Sequence, residues 1–124
     1  MALNRRDLIQ LAHAIEERRA ALREEITREV AHSRDESYAE LAGATHDRAE
    51  EALADLVADV GNAEVTRDLT ELRELDAARR RIADGAYGVC LDCGADIPLE
   101  RLRAQPGAAR CVGCQAQHEK TYRS

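Results

Sequence analysis

Residues 90–94 read Cys90-Leu91-Asp92-Cys93-Gly94, and residues 111–114 read Cys111-Val112-Gly113-Cys114. These are two Cys-x2-Cys elements with 17 residues between them. A two-residue link lets both thiolates of one tight turn reach a single ion, and two such turns complete a tetrahedron. Gly94 directly follows the first pair and permits the tight backbone of such a turn; Gly113, inside the second pair, is expected to serve likewise. Four thiolates leave no open coordination position, so the spacing predicts one structural Zn2+ held by Cys90, Cys93, Cys111 and Cys114. A redox dithiol and a pair of disulfides are the competing readings. Two matched pairs favour zinc over both. His118 lies four residues after Cys114 and is read as a surface histidine on a short final helix.

The residues around the cysteines form a small finger. Its expected core is Tyr87, Val89, Ile97, Leu99 and Leu102. That is too little apolar material for residues 85–118 to fold unaided. Metal binding contributes ~10–16 kcal/mol in sites of this kind and makes up the difference. The whole chain of 124 residues has no Phe, no Trp and only three Tyr. Its apolar content is mostly Ala, Leu, Val and Ile mixed with charged residues, a composition that suits long exposed helices.

The residues before the finger carry a helical pattern. Asn4 can cap a helix, with Asp7 at the third helical position. Leu8, Leu11, Ile15, Leu22 and Ile26 follow at heptad-like steps of three, four, seven and four. The pattern fades after Val30, and Gly43 is the expected stop. A second stripe, Leu53, Val57, Val60, Val65, Leu69, Leu72, Leu75 and Ile82, predicts a helix from about Asp47 to Asp84. Gly61-Asn62 falls where the phase breaks, so a kink is expected there. Asp84-Gly85 reads as a C-terminal stop, with Gly85 left-handed. The expected fold is therefore mainly α. A long antiparallel helical hairpin (a coiled coil) over residues 1–84 precedes a four-cysteine zinc finger and short C-terminal helix over 85–124. The hairpin brings Leu8–Ile15 near Leu75–Ile82 and places its tip near 43–51. Heptad spacing leaves an intermolecular coiled coil open; a monomer is the expected state.

Charge narrows the function. The net charge is −6. Residues 1–84 carry −7 and residues 85–124 carry +1. Eight acids and one base, Arg48, lie within residues 35–59. A phosphate-binding surface needs clustered positive charge, so direct DNA binding is not expected. An acidic segment suits a basic protein surface, or is simply a solvated face. No apolar run reaches the ~18 residues of a membrane span and no targeting signal stands out, so the chain is expected in the cytoplasm. No nucleophile–base pair is evident, and His13, His32 and His46 are scattered; an enzyme is not expected.

The segment Tyr87-Gly88-Val89-Cys90-Leu91-Asp92-Cys93-Gly94, with Ile97-Pro98, Arg101-Leu102, Pro106 and Cys111-x-x-Cys114, resembles the DksA/TraR family. The hairpin ahead of it is similar in architecture, and the chain looks like one of the family's shorter members. The resemblance implies a transcription regulator that binds RNA polymerase, not DNA, by passing the acidic tip through the secondary channel towards the catalytic centre. The family's tip motif is Asp-x-x-Asp-x-Ala. The matching stretch here is Ala44-Thr45-His46-Asp47-Arg48-Ala49, so Asp47, Ala49 and the adjoining Glu50 are the implied partner-binding residues. Asp47 with Glu50 also has a structural reading as a helix-capping pair. The basic residues that help form a ppGpp site in the family are replaced by Gln105 and Gln115. Amides lack the charge that phosphates require, so ppGpp cooperation is expected to be weak or absent. The alternative function is a zinc-stabilised helical adaptor whose acidic tip binds another protein.

Overall fold

The structure is a computed structural model that describes the backbone of residues 3–33 and 63–122, with side chains for 3–30 and 63–121. The described elements are α1 (Arg5–Ser33), α2 (Ala63–Asp84), α3 (Leu99–Ala104) and α4 (Val112–Tyr122). The fold is mainly α. Among the described residues the only extended pairing is an isolated antiparallel bridge between Val89 and Asp96. The expected stop at Gly43, the start of the second helix near Asp47 and the kink at Gly61-Asn62 lie outside the described residues.

Local sequence explains the helix ends. The side-chain oxygen of Asn4 accepts from the Asp7 backbone N–H at 2.7 Å, as a cap should. At the other end of the helical region Gly85 has φ +75°. The Ala86 N–H donates back to the Arg81 carbonyl at 2.8 Å, which closes α2 with a Schellman-type turn.

The chain divides into two compact units, residues 1–17 with 74–124, and residues 18–73. In the second unit the apolar stripes bury Leu22, Ile26 and Val30 of α1, and Val65, Leu69 and Leu72 of α2. Arg18 holds Glu71 through two hydrogen bonds, of 2.8 and 3.0 Å. Asp68 lies within electrostatic range of Glu25 and of Arg18. Together the cross-helix pairs 18–71 and 25–68 make the packing antiparallel. In the first unit Leu11, Ile15, Leu75 and Ala78 are buried, and Arg79 pairs with Glu16.

Two stripe positions differ from expectation. The seven-residue step from Ile15 to Leu22 is bridged by Arg19, which is only 3% exposed. Its aliphatic stem can occupy a core position while the charged head reaches past it. On α2 the small Ala78 fills the turn after Leu75, and Ile82 is only half-buried.

Leu72 is 1% exposed, so Leu72→Ala should leave a cavity costing about 2–4 kcal/mol. Urea unfolding followed by helical circular dichroism should show the loss, whereas exposed Thr70→Ala should stay within about 0.5 kcal/mol of wild type.

Candidate metal centre

The first cysteine pair sits at the end of a short ladder. Cys90 N–H donates to Ala95 O and Ile97 N–H to Gly88 O, each at 2.8 Å. Gly94 N–H closes the turn onto Cys90 O at 3.0 Å, with Gly94 at φ +76°. Few residues other than glycine adopt that backbone without strain. The second pair is built differently. Cys111 precedes α4, and Cys114 lies in its first turn. Gly113 is helical there, without positive φ and with open space where a Cβ would stand. The expectation that it serves as Gly94 does is therefore wrong, because the helix supplies the second turn.

Three features tie the pairs together. Leu91 N–H donates to Ala109 O at 2.9 Å. Arg110 Nε donates to Asp92 Oδ2 at 2.9 Å. Arg101 Nε, on α3, donates to the Arg110 carbonyl at 2.9 Å. The Sγ atoms of Cys90, Cys93, Cys111 and Cys114 consequently lie within 4.8 Å of one another. The Cys93–Cys111 separation is 4.0 Å. A tetrahedron with Zn–S bonds of 2.3 Å has sulfur–sulfur edges of about 3.8 Å, so the donor set and its spacing fit that ion. All four are free thiols. His118 is half-buried and is not among the four.

The thiols differ in how readily they ionise. Hydrogen bonding from the Cys93 backbone, then from that of Cys111, holds Cys90 down to about 6. Interaction with the side chain of Cys111, then with those of Cys90 and Cys93, pushes Cys114 up to about 12. The first thiolate forms easily and the last is opposed by its neighbours. A divalent cation removes that opposition.

The finger core is Tyr87, Ile97 and Leu102, all buried, with Val89 and Leu99 half-buried. Tyr87 Oη donates to the Pro106 carbonyl at 2.7 Å and links the residues before the first pair to the loop before the second. Sequence reasoning did not find Asp92 and Arg110 as a pair. The available signal was a charge of opposite sign immediately before the second cysteine of one element and the first of the other. Leu91 and Val112 are exposed apolar residues that each follow a cysteine. Asp47, Ala49 and Glu50 lie outside the described residues.

The prokaryotic dksA/traR C4-type zinc finger family matches residues 85–120. The RNA polymerase-binding transcription factor DksA of Escherichia coli K12 is 31% identical over 113 residues, covering 89% of this chain and 72% of that protein. The protein of the same name from Caulobacter vibrioides is 42% identical over 52 residues, 42% of this chain. The chain spans only 37% of that relative's length. The solved structure of transcription factor DksA2 from Pseudomonas aeruginosa has a TM-score of 0.65 at 24% identity, over 98% of this chain and 89% of that one. It bears on the fold alone. No described helix is long and apolar enough to cross a membrane.

Burial holds the Tyr87 hydroxyl up to about 12, above the ordinary value of 10.0. A tyrosine raised in this way contributes stability that is fully present below pH 10 and is lost as pH rises towards 12. Tyr87→Phe should cost about 1–2 kcal/mol at neutral pH, since the Pro106 carbonyl loses its donor. Denaturation at stepped pH should show the variant losing less stability than wild type over that alkaline range.

Proposed function

The chain belongs to the DksA/TraR family, and on that premise we propose that it is a non-enzymatic transcription regulator that binds RNA polymerase. The observation that carries this reading is the 31% identity to the Escherichia coli protein, which extends through 113 residues and so beyond the finger. In this proposal one Zn2+ is held by Cys90, Cys93, Cys111 and Cys114. The ion supplies a cross-link that fixes the finger, with no open position for chemistry. The finger and the adjoining helix ends form a base. The acidic residues between α1 and α2, with Asp47, Ala49 and Glu50 at their centre, enter the secondary channel. Their charge suits basic protein or a metal-bearing centre and disfavours DNA. Gln105 is exposed and Gln115 bonds to Glu119, so neither offers a cation to ppGpp.

Copurification with core polymerase tests the partner. Wild type should be retained at low salt, Asp47→Asn should bind more weakly, and deletion of residues 43–51 should abolish retention. Absence of wild-type retention sinks the proposal. Retention that survives the deletion removes channel entry while leaving polymerase binding. In the same system ppGpp should add little to any transcriptional effect.

Elemental analysis should find one zinc per chain. Chelation should unfold residues 85–124 while much of the helical signal of α1 and α2 persists. Full loss of helix on chelation would contradict a metal role confined to the finger.

A further inference from the structure

Access to the four cysteines is uneven. Cys90 is buried, Cys111 and Cys114 are half-exposed, and Cys93 is exposed. The Cys93 and Cys111 sulfurs are 4.0 Å apart, so the edge they form includes the exposed cysteine and joins the two elements. Solvent reaches the group most readily at Cys93. The residues immediately before these two cysteines are Asp92 and Arg110, and their side chains are joined at 2.9 Å.

The backbone alone secures this edge incompletely. Leu91 N–H to Ala109 O is a single bond between the two cysteine elements, and a single bond acts as a hinge. The Asp92–Arg110 pair adds a second attachment one residue further along each strand of chain. Arg110 is itself fixed at a second point, because its carbonyl accepts from Arg101 Nε of α3 at 2.9 Å. The Arg110 side chain is 21% exposed and Asp92 43%, against 46% and 52% for the Arg79–Glu16 pair. Arg110 therefore keeps more of its charge interaction than a guanidinium on the open surface.

We infer that Asp92 and Arg110 form a clasp beside the Cys93–Cys111 edge of the four-cysteine site and slow the escape of its metal ion. The inference rests on the zinc reading above. Both are positioning residues: they touch no metal and act by keeping Cys93 and Cys111 together. Separating the two cysteine elements requires breaking the pair, so the barrier to ligand release includes it. Screening by salt weakens the clasp, which makes metal retention depend on ionic strength.

The test uses the full chain loaded with zinc and a colorimetric chelator in excess, with first-order release as the readout. Arg110→Ala and Asp92→Asn should each release zinc about three to ten times faster than wild type. Arg110→Ala keeps the carbonyl bound by Arg101, and Asp92→Asn keeps the shape of the side chain. The double variant should be no faster than either single one, since one interaction is lost only once. The charge-swapped chain, Asp92→Arg with Arg110→Asp, should recover most of the wild-type rate. Added salt should accelerate wild type and leave the single variants unchanged. Arg79→Ala, which breaks a pair outside the finger, should release at the wild-type rate. Unaltered release from zinc-loaded single variants, additive effects in the double variant, or equal acceleration by Arg79→Ala overturns the clasp alone. A wild-type chain that elemental analysis finds without zinc overturns the zinc reading and the clasp with it.

Discussion

Four thiols lie within 4.8 Å of one another, and this crowding constrains the rest of the finger. Thiolates at that spacing repel, and Cys114 is held in its protonated form chiefly by hydrogen bonding with Cys111, Cys90 and Cys93, with charge repulsion from Cys111 adding least. The polypeptide meets part of the cost with backbone N–H groups aimed at Cys90. The remainder calls for a cation. Everything nearby is arranged around keeping the four together. Gly94 takes a left-handed turn, α4 begins inside the second pair, and Arg101, Arg110 and Asp92 link three stretches of the finger. Only Tyr87, Ile97 and Leu102 add a buried apolar core beside Cys90. Such a core is too small to hold the loops without a cross-link. Its position nevertheless carries the fold outward. Leu102 and Gly88 lie against each other, and Leu3, just before α1, packs on Gly88. The start of the first helix is thereby seated on the finger.

What was legible in the sequence follows from the range of the interactions concerned. Cys-x2-Cys spacing, the Asn4 cap and the Gly85 stop are settled within five or six residues, and each appears as expected. The apolar stripes were legible because helical periodicity repeats the same signal over several turns. Arg19 was hidden because a charged residue reads as a surface residue, although its stem can pack in a core. Gly113 misled because glycine has two uses after a cysteine, and only the surrounding helix decides between them. The Asp92–Arg110 pair depends on how the two elements meet, which the opposite charges beside the cysteines do not decide by themselves. The residues that carry the functional proposal, around Asp47, lie outside the described structure. For them the sequence reading stands on its charge and its family resemblance.

The helix pair in residues 18–73 adds a different constraint. Asp68 is raised above the usual carboxylate range, first by desolvation and then by Glu25, Glu64 and Glu71, while Arg18 opposes the shift. A carboxyl whose folded value is raised favours the folded state most where it is protonated, below its unfolded value. That contribution is lost as pH rises through the folded value. At neutral pH the Asp68 carboxylate therefore works against the helix pairing it sits on. The buried stripe of Leu22, Ile26, Val30, Val65, Leu69 and Leu72 outweighs that cost, and Arg18, held by Glu71 through two hydrogen bonds, opposes it locally. Residues 18–33 and 63–73 together hold six Arg against six acids, so the excess acid lies in the sequence between them, where residues 35–59 carry −7, and a positively charged partner surface would suit it. The polymerase proposal gives that excess a use; a solvated face leaves it as a cost without a return.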